Sequence, residues 1–193
     1  MNAAKNHSSA TKGGNESNAI AILIADHKKI RVLFKQFEEV MDQDGSETEK
    51  AELAQQVCNA LTVHTQIEEE LFYPAVREAI DNDNLMDEAK AVHAGIQELV
   101  EQIEAMQPGS DQYDAKVVVL GEQVEHHFMG EEEEMFFLAK EAKLDMASLG
   151  AQMQQRKIAL MAELGVPNEP DNAAEASTNV KKKARPTHGR AFT

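Results

Sequence analysis

The 193-residue sequence is poor in several residue types, and each shortage excludes a class of protein. A single cysteine, Cys58, excludes internal disulfide bonds and Cys-x-x-Cys sites, as is usual in a reducing cytosol. Tryptophan is absent and aromatic residues make up 5% of the chain, which argues against electron transfer through stacked aromatic side chains. No apolar run approaches the roughly 20 residues that cross a bilayer, and residues 1–18 lack the apolar stretch of a signal peptide. We therefore expect a cytoplasmic protein with no membrane partner.

Positive charge is also scarce. The chain has 19 Lys and Arg residues against 34 Asp and Glu, for a net charge of −15, so we expect no nucleic-acid partner. Residues 1–18 and 167–193 are polar, slightly basic and without apolar periodicity, which predicts a disordered N-terminal segment and a disordered basic tail. Residues 19–166 hold 12 basic against 30 acidic residues and form the predicted folded domain.

Apolar residues recur with the 3.6-residue period of a helix through most of residues 19–166. The breaks between the predicted helices fall at Asp44-Gly45-Ser46, Asp81–Asn84 and Pro108-Gly109-Ser110. Pro74 is expected to kink the second helix near its end. Four helices with short loops predict an all-α fold, an antiparallel up-and-down four-helix bundle. An extra C-terminal helix, Met146–Leu164, is expected to pack outside it.

Four of the five histidines in this region lie on the predicted inward faces of four different helices: His27, His64, His93 and His127. In an antiparallel hairpin, two residues are level when the turn lies midway between them. The midpoint of His27 and His64 falls between Gly45 and Ser46, and that of His93 and His127 falls at Ser110, so both pairs are expected to be level. The midpoint of His64 and His93 falls near Glu78, before the predicted break, and fits poorly.

Two glutamates, Glu68 and Glu131, each follow an inward histidine by four residues and therefore share its helix face. An unpaired carboxylate in a core costs several kcal/mol, so it must be protonated, paired with a cation or bound to a metal. No Lys or Arg lies on the inward faces, and mixed imidazole and carboxylate ligands suit a pair of ions such as iron. The predicted metal ligands are His27, His64, Glu68, His93, His127 and Glu131. His126 is predicted to be peripheral, and Glu132 could replace Glu131 if the helix bulges.

The segments Asp26-His27, His64-Thr-Gln-Ile-Glu68-Glu69-Glu70, His93 and His126-His127-Phe-Met-Gly-Glu131-Glu132 carry a family resemblance. Together they make the sequence similar to the hemerythrin-like, or His-His-Glu cation-binding, family over about residues 19–140. The Glu-x-x-His spacing of ferritin-type carboxylate sites does not occur. The resemblance implies a bundle that holds two iron ions in a non-haem di-iron centre, with the two carboxylates bridging and the same six residues as ligands.

One position departs from the oxygen-carrying hemerythrins, which have a fifth histidine one turn after the third-helix ligand, where this chain has Gln97. The resemblance then implies an open metal position, and replacing Gln97 with His is expected to prolong any oxygen adduct. Relatives with four His and two Glu are linked to sensing, nitric-oxide response and repair of iron–sulfur centres. We expect a di-iron protein that binds oxygen, nitric oxide or peroxide in a stress, sensing or iron-handling role. The alternatives are a di-iron oxidase or peroxidase and a metal-free helical interaction module, and no protein partner is indicated.

Overall fold

The computed structural model describes residues 18–80 and 82–167, and all the regular secondary structure in these ranges is helical. The two segments predicted to be disordered lie outside these ranges except for Asn18, whose side chain caps the first helix, and Pro167. The α-helices are α1 (Ala19–Asp42), α2 (Glu47–Ile67), α3 (Tyr73–Ala79), α4 (Asp83–Ala105), α5 (Tyr113–Gly130), α6 (Phe136–Glu141) and α7 (Met146–Glu163).

Polar side chains at the helix starts explain where the elements begin. At α2 the Ser46 hydroxyl accepts a hydrogen bond from the Glu49 N–H, and the Glu49 carboxylate accepts one from the Ser46 N–H. This reciprocal pair satisfies two N–H groups that have no partner within the helix. Asn82 and Asp145 accept from backbone N–H groups at the starts of α4 and α7. Ser46 and Glu49 therefore form a capping box at the start of α2.

The helices pack in the predicted order. α1 lies against α2 and α5, while α4 lies against the same two helices from the other side, which closes a four-helix bundle. α7 packs across α1 and α2 on the outside of the bundle. The predicted four-helix bundle with an extra C-terminal helix is thus confirmed. Within the residues that the structure describes, no helix is long and apolar enough to cross a membrane.

The core consists of two apolar clusters with a polar layer between them. One cluster includes Leu23, Ile67, Phe72 and Met86 and reaches α7, and the other includes residues such as Ile30, Leu61, Ile96 and Val124. Along α1 the change from one cluster to the other falls between Leu23 and Ile30, where His27 lies fully buried. The buried residues His64, Glu68, His93, His127 and Glu131 of the other helices occupy the same layer, so apolar side chains shield them on both sides.

Two π-helical turns interrupt helices that the sequence predicted to be regular. One spans Glu68–Phe72 between α2 and α3, and the other spans Glu131–Met135 between α5 and α6. Each turn inserts one residue, so the face that points inward shifts by one position after it. Leu71, which a regular helix would place on the same face as Glu68, is only partly buried, whereas Phe72 and Tyr73 are buried.

Candidate metal centre

All six predicted ligand residues meet in the polar layer. Glu68 Oε2 lies 3.3 Å from His64 Nε2 and 3.4 Å from His93 Nε2. Glu131 Oε2 lies 3.3 Å from His27 Nε2 and 3.5 Å from His127 Nε2. Each glutamate therefore contacts histidines of two different helices, an arrangement suited to a carboxylate that bridges two ions.

Two overlapping groups of these residues could each hold one metal ion. His27, His64, Glu68 and Glu131 form the first group, and Glu68, His93 and His127 form the second. Within each group the ligand atoms lie within 4.8 Å of one another, and every residue is buried. Glu68 belongs to both groups. The arrangement can accommodate two neighbouring ions that share a carboxylate.

Several buried atoms of the site lack hydrogen-bond partners. Six buried atoms of the site have no hydrogen-bond partner: His27 Nε2, His64 Nδ1 and Nε2, Glu68 Oε1 and Oε2, and Glu131 Oε2. Among the described residues the two glutamates form ion-pair contacts only with histidines. Buried polar atoms of native proteins are normally paired. Nitrogen and carboxylate atoms left facing one another fit a metal cation.

The electrostatics favour the ligand form of the imidazoles. Burial lowers the pKa of His64 and His93, and it lowers the pKa of His127 to about 4, so these rings are neutral at pH 7. Burial and the charge of Glu131 raise the pKa of Glu68 well above its usual range. Burial would also raise the pKa of Glu131, but a hydrogen bond with His27 and nearby histidine charges lower it. The raised pKa of Glu68 shows that burial beside Glu131 disfavours a second negative charge, which a bound cation would stabilise.

Two further glutamates, which follow the inward ones directly in sequence, fix the orientation of the rings. His27 Nδ1 donates to Glu132 Oε1 at 2.7 Å, and His93 Nδ1 donates to Glu69 Oε1 at 2.9 Å. A carboxylate that accepts from Nδ1 leaves the Nε2 lone pair free for a metal. The helix does bulge at Glu131, which was the condition for Glu132 to replace Glu131 as a ligand. Glu131 nevertheless still points inward. The repeated Glu-Glu pair was the sequence signal for this role.

Tyr73 is a site residue that the sequence interpretation missed. Its hydroxyl donates to Glu131 Oε1 at 2.7 Å and lies 3.0 Å from His93 Nε2. Burial raises the pKa of Tyr73 well above its usual value, and the charges of Glu68 and Glu131 add to the effect. The phenol therefore stays protonated. It was missed because a regular helix would turn Tyr73 away from Glu68.

Three other sequence expectations have clear outcomes. Gln97, expected at the place of a fifth histidine ligand, is exposed and donates to Glu101, so it does not face the centre. Gln97 lies on α4 one turn beyond His93, where its side chain is exposed to solvent. His126 is exposed, which confirms that it is peripheral. Cys58 is buried in an apolar cluster away from the centre.

Aromatic rings enclose the centre. The Phe128 ring stacks on His27 with a centroid distance of 3.8 Å, and Phe136 lies 5.7 Å from the same ring. Phe72 packs edge-on against Phe136 and is fully buried. Phe128 belongs to one apolar cluster, and Phe72 and Phe136 belong to the other, so these rings form an apolar wall on both sides of the polar layer.

Comparisons with known proteins agree with this geometry. The model of the hemerythrin HHE cation-binding domain family matches residues 18–139. A DNA nickase from Nostoc sp. is 29% identical over 134 residues, which cover 67% of this chain but only 36% of that protein, about a third of its length. The crystal structure of a hemerythrin HHE cation-binding domain-containing protein from Mycobacterium kansasii superposes with a TM-score of 0.65 and 22% identity, covering 83% of this chain and 98% of that one. The chain therefore belongs to the hemerythrin HHE cation-binding domain family and is a metal-binding helical domain.

Proposed function

We propose that the protein is a non-haem di-iron protein whose centre binds a small ligand such as oxygen, nitric oxide or peroxide. The observation that carries this proposal is a set of opposed atoms. The Nε2 atoms of four histidines face carboxylate oxygens at 3.3–3.5 Å, and those of His27 and His64 have no hydrogen-bond partner. Such contacts are repulsive unless a proton or a cation lies between them. Imidazole and carboxylate together suit iron. Bound iron would supply exchangeable ligand positions and a one-electron change in oxidation state per ion.

The residues of the chain would hold and shield this centre. His27, His64, His93 and His127 would bind through Nε2, and Glu68 and Glu131 would bridge. Glu132 and Glu69 keep Nδ1–H groups of two ligands occupied, and the aromatic wall limits access by water. An apolar wall beside the ions favours small uncharged ligands. The protein's role would then lie in stress response, sensing or iron handling, in the cytoplasm and without a membrane partner.

The test is anaerobic titration of metal-free protein with Fe(II), followed by optical spectra with azide, nitric oxide and oxygen. We expect saturation at two ions per chain and a new absorption band on azide addition. The matched variants are Glu131→Gln, which alters a buried bridging carboxylate, and Glu134→Gln, which alters an exposed one in the same π-helical turn. The first should lose iron and the second should not. Equal iron content in both variants would contradict the proposal.

A di-iron oxidase or peroxidase is the second candidate, and Tyr73 is the observation that favours it. Its buried hydroxyl places a proton 2.7 Å from Glu131 Oε1 at the centre. Tyr73→Phe should then lower the rate of peroxide consumption without changing iron content. Tyr113→Phe is the control, because Tyr113 is the other tyrosine of the chain and packs in the other apolar cluster. If both variants keep the full rate, the enzymatic reading fails.

The similarity to a DNA nickase does not lead us to propose a nucleic-acid partner. The Nostoc relative is a DNA nickase, but this chain covers only 36% of it. A net charge of −15 repels a phosphate backbone. We therefore propose no nucleic-acid partner. A gel-shift assay in low salt should show no complex.

A further inference from the structure

Among the described residues, two predicted ligands, His64 and His127, lack the Nδ1 carboxylate partner that the other two histidines have. His27 and His93 donate from Nδ1 to Glu132 and Glu69, but His64 Nδ1 is buried without a hydrogen-bond partner. The nearest carboxylate oxygen is Asp26 Oδ2, at 3.9 Å, which also has no hydrogen-bond partner. This separation exceeds a normal N–H···O distance by about 1 Å. A buried donor and a buried acceptor thus face each other without bonding.

Lys157, on α7, holds the Asp26 carboxylate away from His64. Lys157 Nζ on α7 donates to Asp26 Oδ1, and its side chain is 13% exposed. The carboxylate of Asp26 is 7% exposed, so the pair lies mostly out of water. A buried ammonium–carboxylate pair is short and strongly directional because little solvent competes with it. Lys157 therefore fixes the position of the carboxylate from the side opposite to the metal centre.

The Lys157–Asp26 pair also forms one wall of a cavity of about 250 Å³ between α1, α2 and α7. Lys29 lines the same cavity but forms no ion pair with Asp26 among the described residues. Lys29 is exposed and does not pair with Asp26, whereas Lys157 is mostly buried and donates to it. Lys29 is the natural control for Lys157.

We propose that Lys157 is a positioning residue that weakens the His64 ligand by withholding Asp26 from His64 Nδ1. This inference rests on the proposed function, because it concerns iron bound at His64 Nε2. A metal-bound histidine keeps its proton on Nδ1, and a carboxylate that accepts this proton makes the ring a stronger ligand. His27 and His93 have such an acceptor, and His64 does not. α7 thereby leaves one end of the centre more readily exchangeable.

The experiment measures iron loss to a chelator and the midpoint potential of the iron-loaded protein. Lys157→Met keeps the length of the side chain and frees Asp26 to accept from His64. We expect iron loss about tenfold slower, on the scale of other outer-sphere contacts of metal sites. The midpoint potential should fall, because a more basic ligand favours ferric iron. Lys157→Arg should restore wild-type values, and Lys29→Met should match wild type. The double variant Lys157→Met with Asp26→Asn should lose iron as fast as wild type, because Asp26 can no longer act as the carboxylate acceptor.

The outcomes separate this inference from the proposed function. Unchanged or faster iron loss in Lys157→Met would overturn the inference while leaving the iron site intact. Wild-type protein that binds no iron would overturn both. If Lys157→Met has a lower Tm than the other variants, Lys157→Arg and Asp26→Asn still test the inference. Asp26→Asn should then match wild type in iron loss, because Asp26 is already withheld, and faster loss would contradict the inference.

Discussion

Removing the iron should destabilise the fold by several kcal/mol. Five buried atoms that face the centre have no hydrogen-bond partner in the protein; His64 Nδ1 is not among them because it faces Asp26. A buried polar atom without a partner costs about 1–3 kcal/mol, and the low end applies because Glu68 can take up a proton. That gives about 5 kcal/mol for the five atoms. Independently, two ions at about 100 times their dissociation constants would stabilise the fold by about 5 kcal/mol.

The assay is thermal unfolding of iron-loaded and chelator-treated protein, with iron measured in each sample. For a chain of this size, about 5 kcal/mol corresponds to a fall in Tm of about 10–20 °C. Adding Fe(II) back should restore the Tm. His126→Ala should show the same shift as wild type, because that ring is exposed. Loss of both ions with an unchanged Tm would refute the reasoning from partnerless atoms.

The difference in Tm between iron-loaded and metal-free protein should increase with pH. The pKa of Glu68 is raised above its usual value of 4.5 in the metal-free protein. A carboxyl group with a raised pKa stabilises the fold at low pH, and this contribution is lost as pH rises above 4.5. The loaded protein uses the carboxylate form and gains affinity as pH rises. The gap in Tm between loaded and metal-free protein should therefore widen from pH 5 upward, and a narrowing gap would contradict the assignment of Glu68.

Three further outcomes can be measured on single variants. His127→Ala should lose iron while His126→Ala keeps it, because only His127 is buried in the polar layer; equal losses would mean that the wrong ring was assigned. Gln97→His should leave the lifetime of any oxygen adduct unchanged, because Gln97 is exposed; a longer lifetime would show that position 97 reaches the iron. Burial raises the pKa of Cys58 to about 12, so at pH 8 a thiol reagent should react at least about 10³ times more slowly than in denaturant, and equal rates would contradict this burial.

That the six predicted ligand residues meet in one layer could be predicted because they lie before the π-helical turns, or at their first residues. His27, His64, His93 and His127 each lie on a helical face whose period is unbroken up to that point. The poor register of His64 with His93 also has an explanation. Glu68, not His64, contacts His93 at 3.4 Å, and the midpoint of Glu68 and His93 falls between Ile80 and Asp81. The two helices of this hairpin are therefore in register at Glu68 and not at His64.

The residues that support the ligands could not be predicted in the same way. Tyr73 follows the first π-helical turn, where the extra residue changes which side chains point inward. Lys157 lies on a helix whose docking face was unknown from sequence, so its pairing with Asp26 across 131 positions had no local signal. Glu69 and Glu132 follow the inward glutamates directly, and the sequence left open whether they were solvated. Contacts set by a break in periodicity or by packing between distant helices need coordinates.

The π-helical turns themselves lead to a last prediction, which concerns Pro74. In a regular helix Tyr73 would lie about 140° around the axis from Glu68, because each residue turns about 100°. The π-helical turn is closed by a hydrogen bond from the Tyr73 N–H to the Glu68 carbonyl, and it brings both side chains to the centre.

Proline is not what forms this turn, because the second π-helical turn is closed in the same way by Phe136 and Glu131 with Phe137 at the matching position. Pro74 and Phe137 are both exposed. Pro74→Ala should therefore keep two irons per chain and shift stability by less than about 1 kcal/mol, as for other exposed positions. Phe137→Ala is the matched control. A folded Pro74→Ala protein that has lost its iron would show that the proline, and not the packing of Glu68 and Tyr73 in the core, maintains the turn.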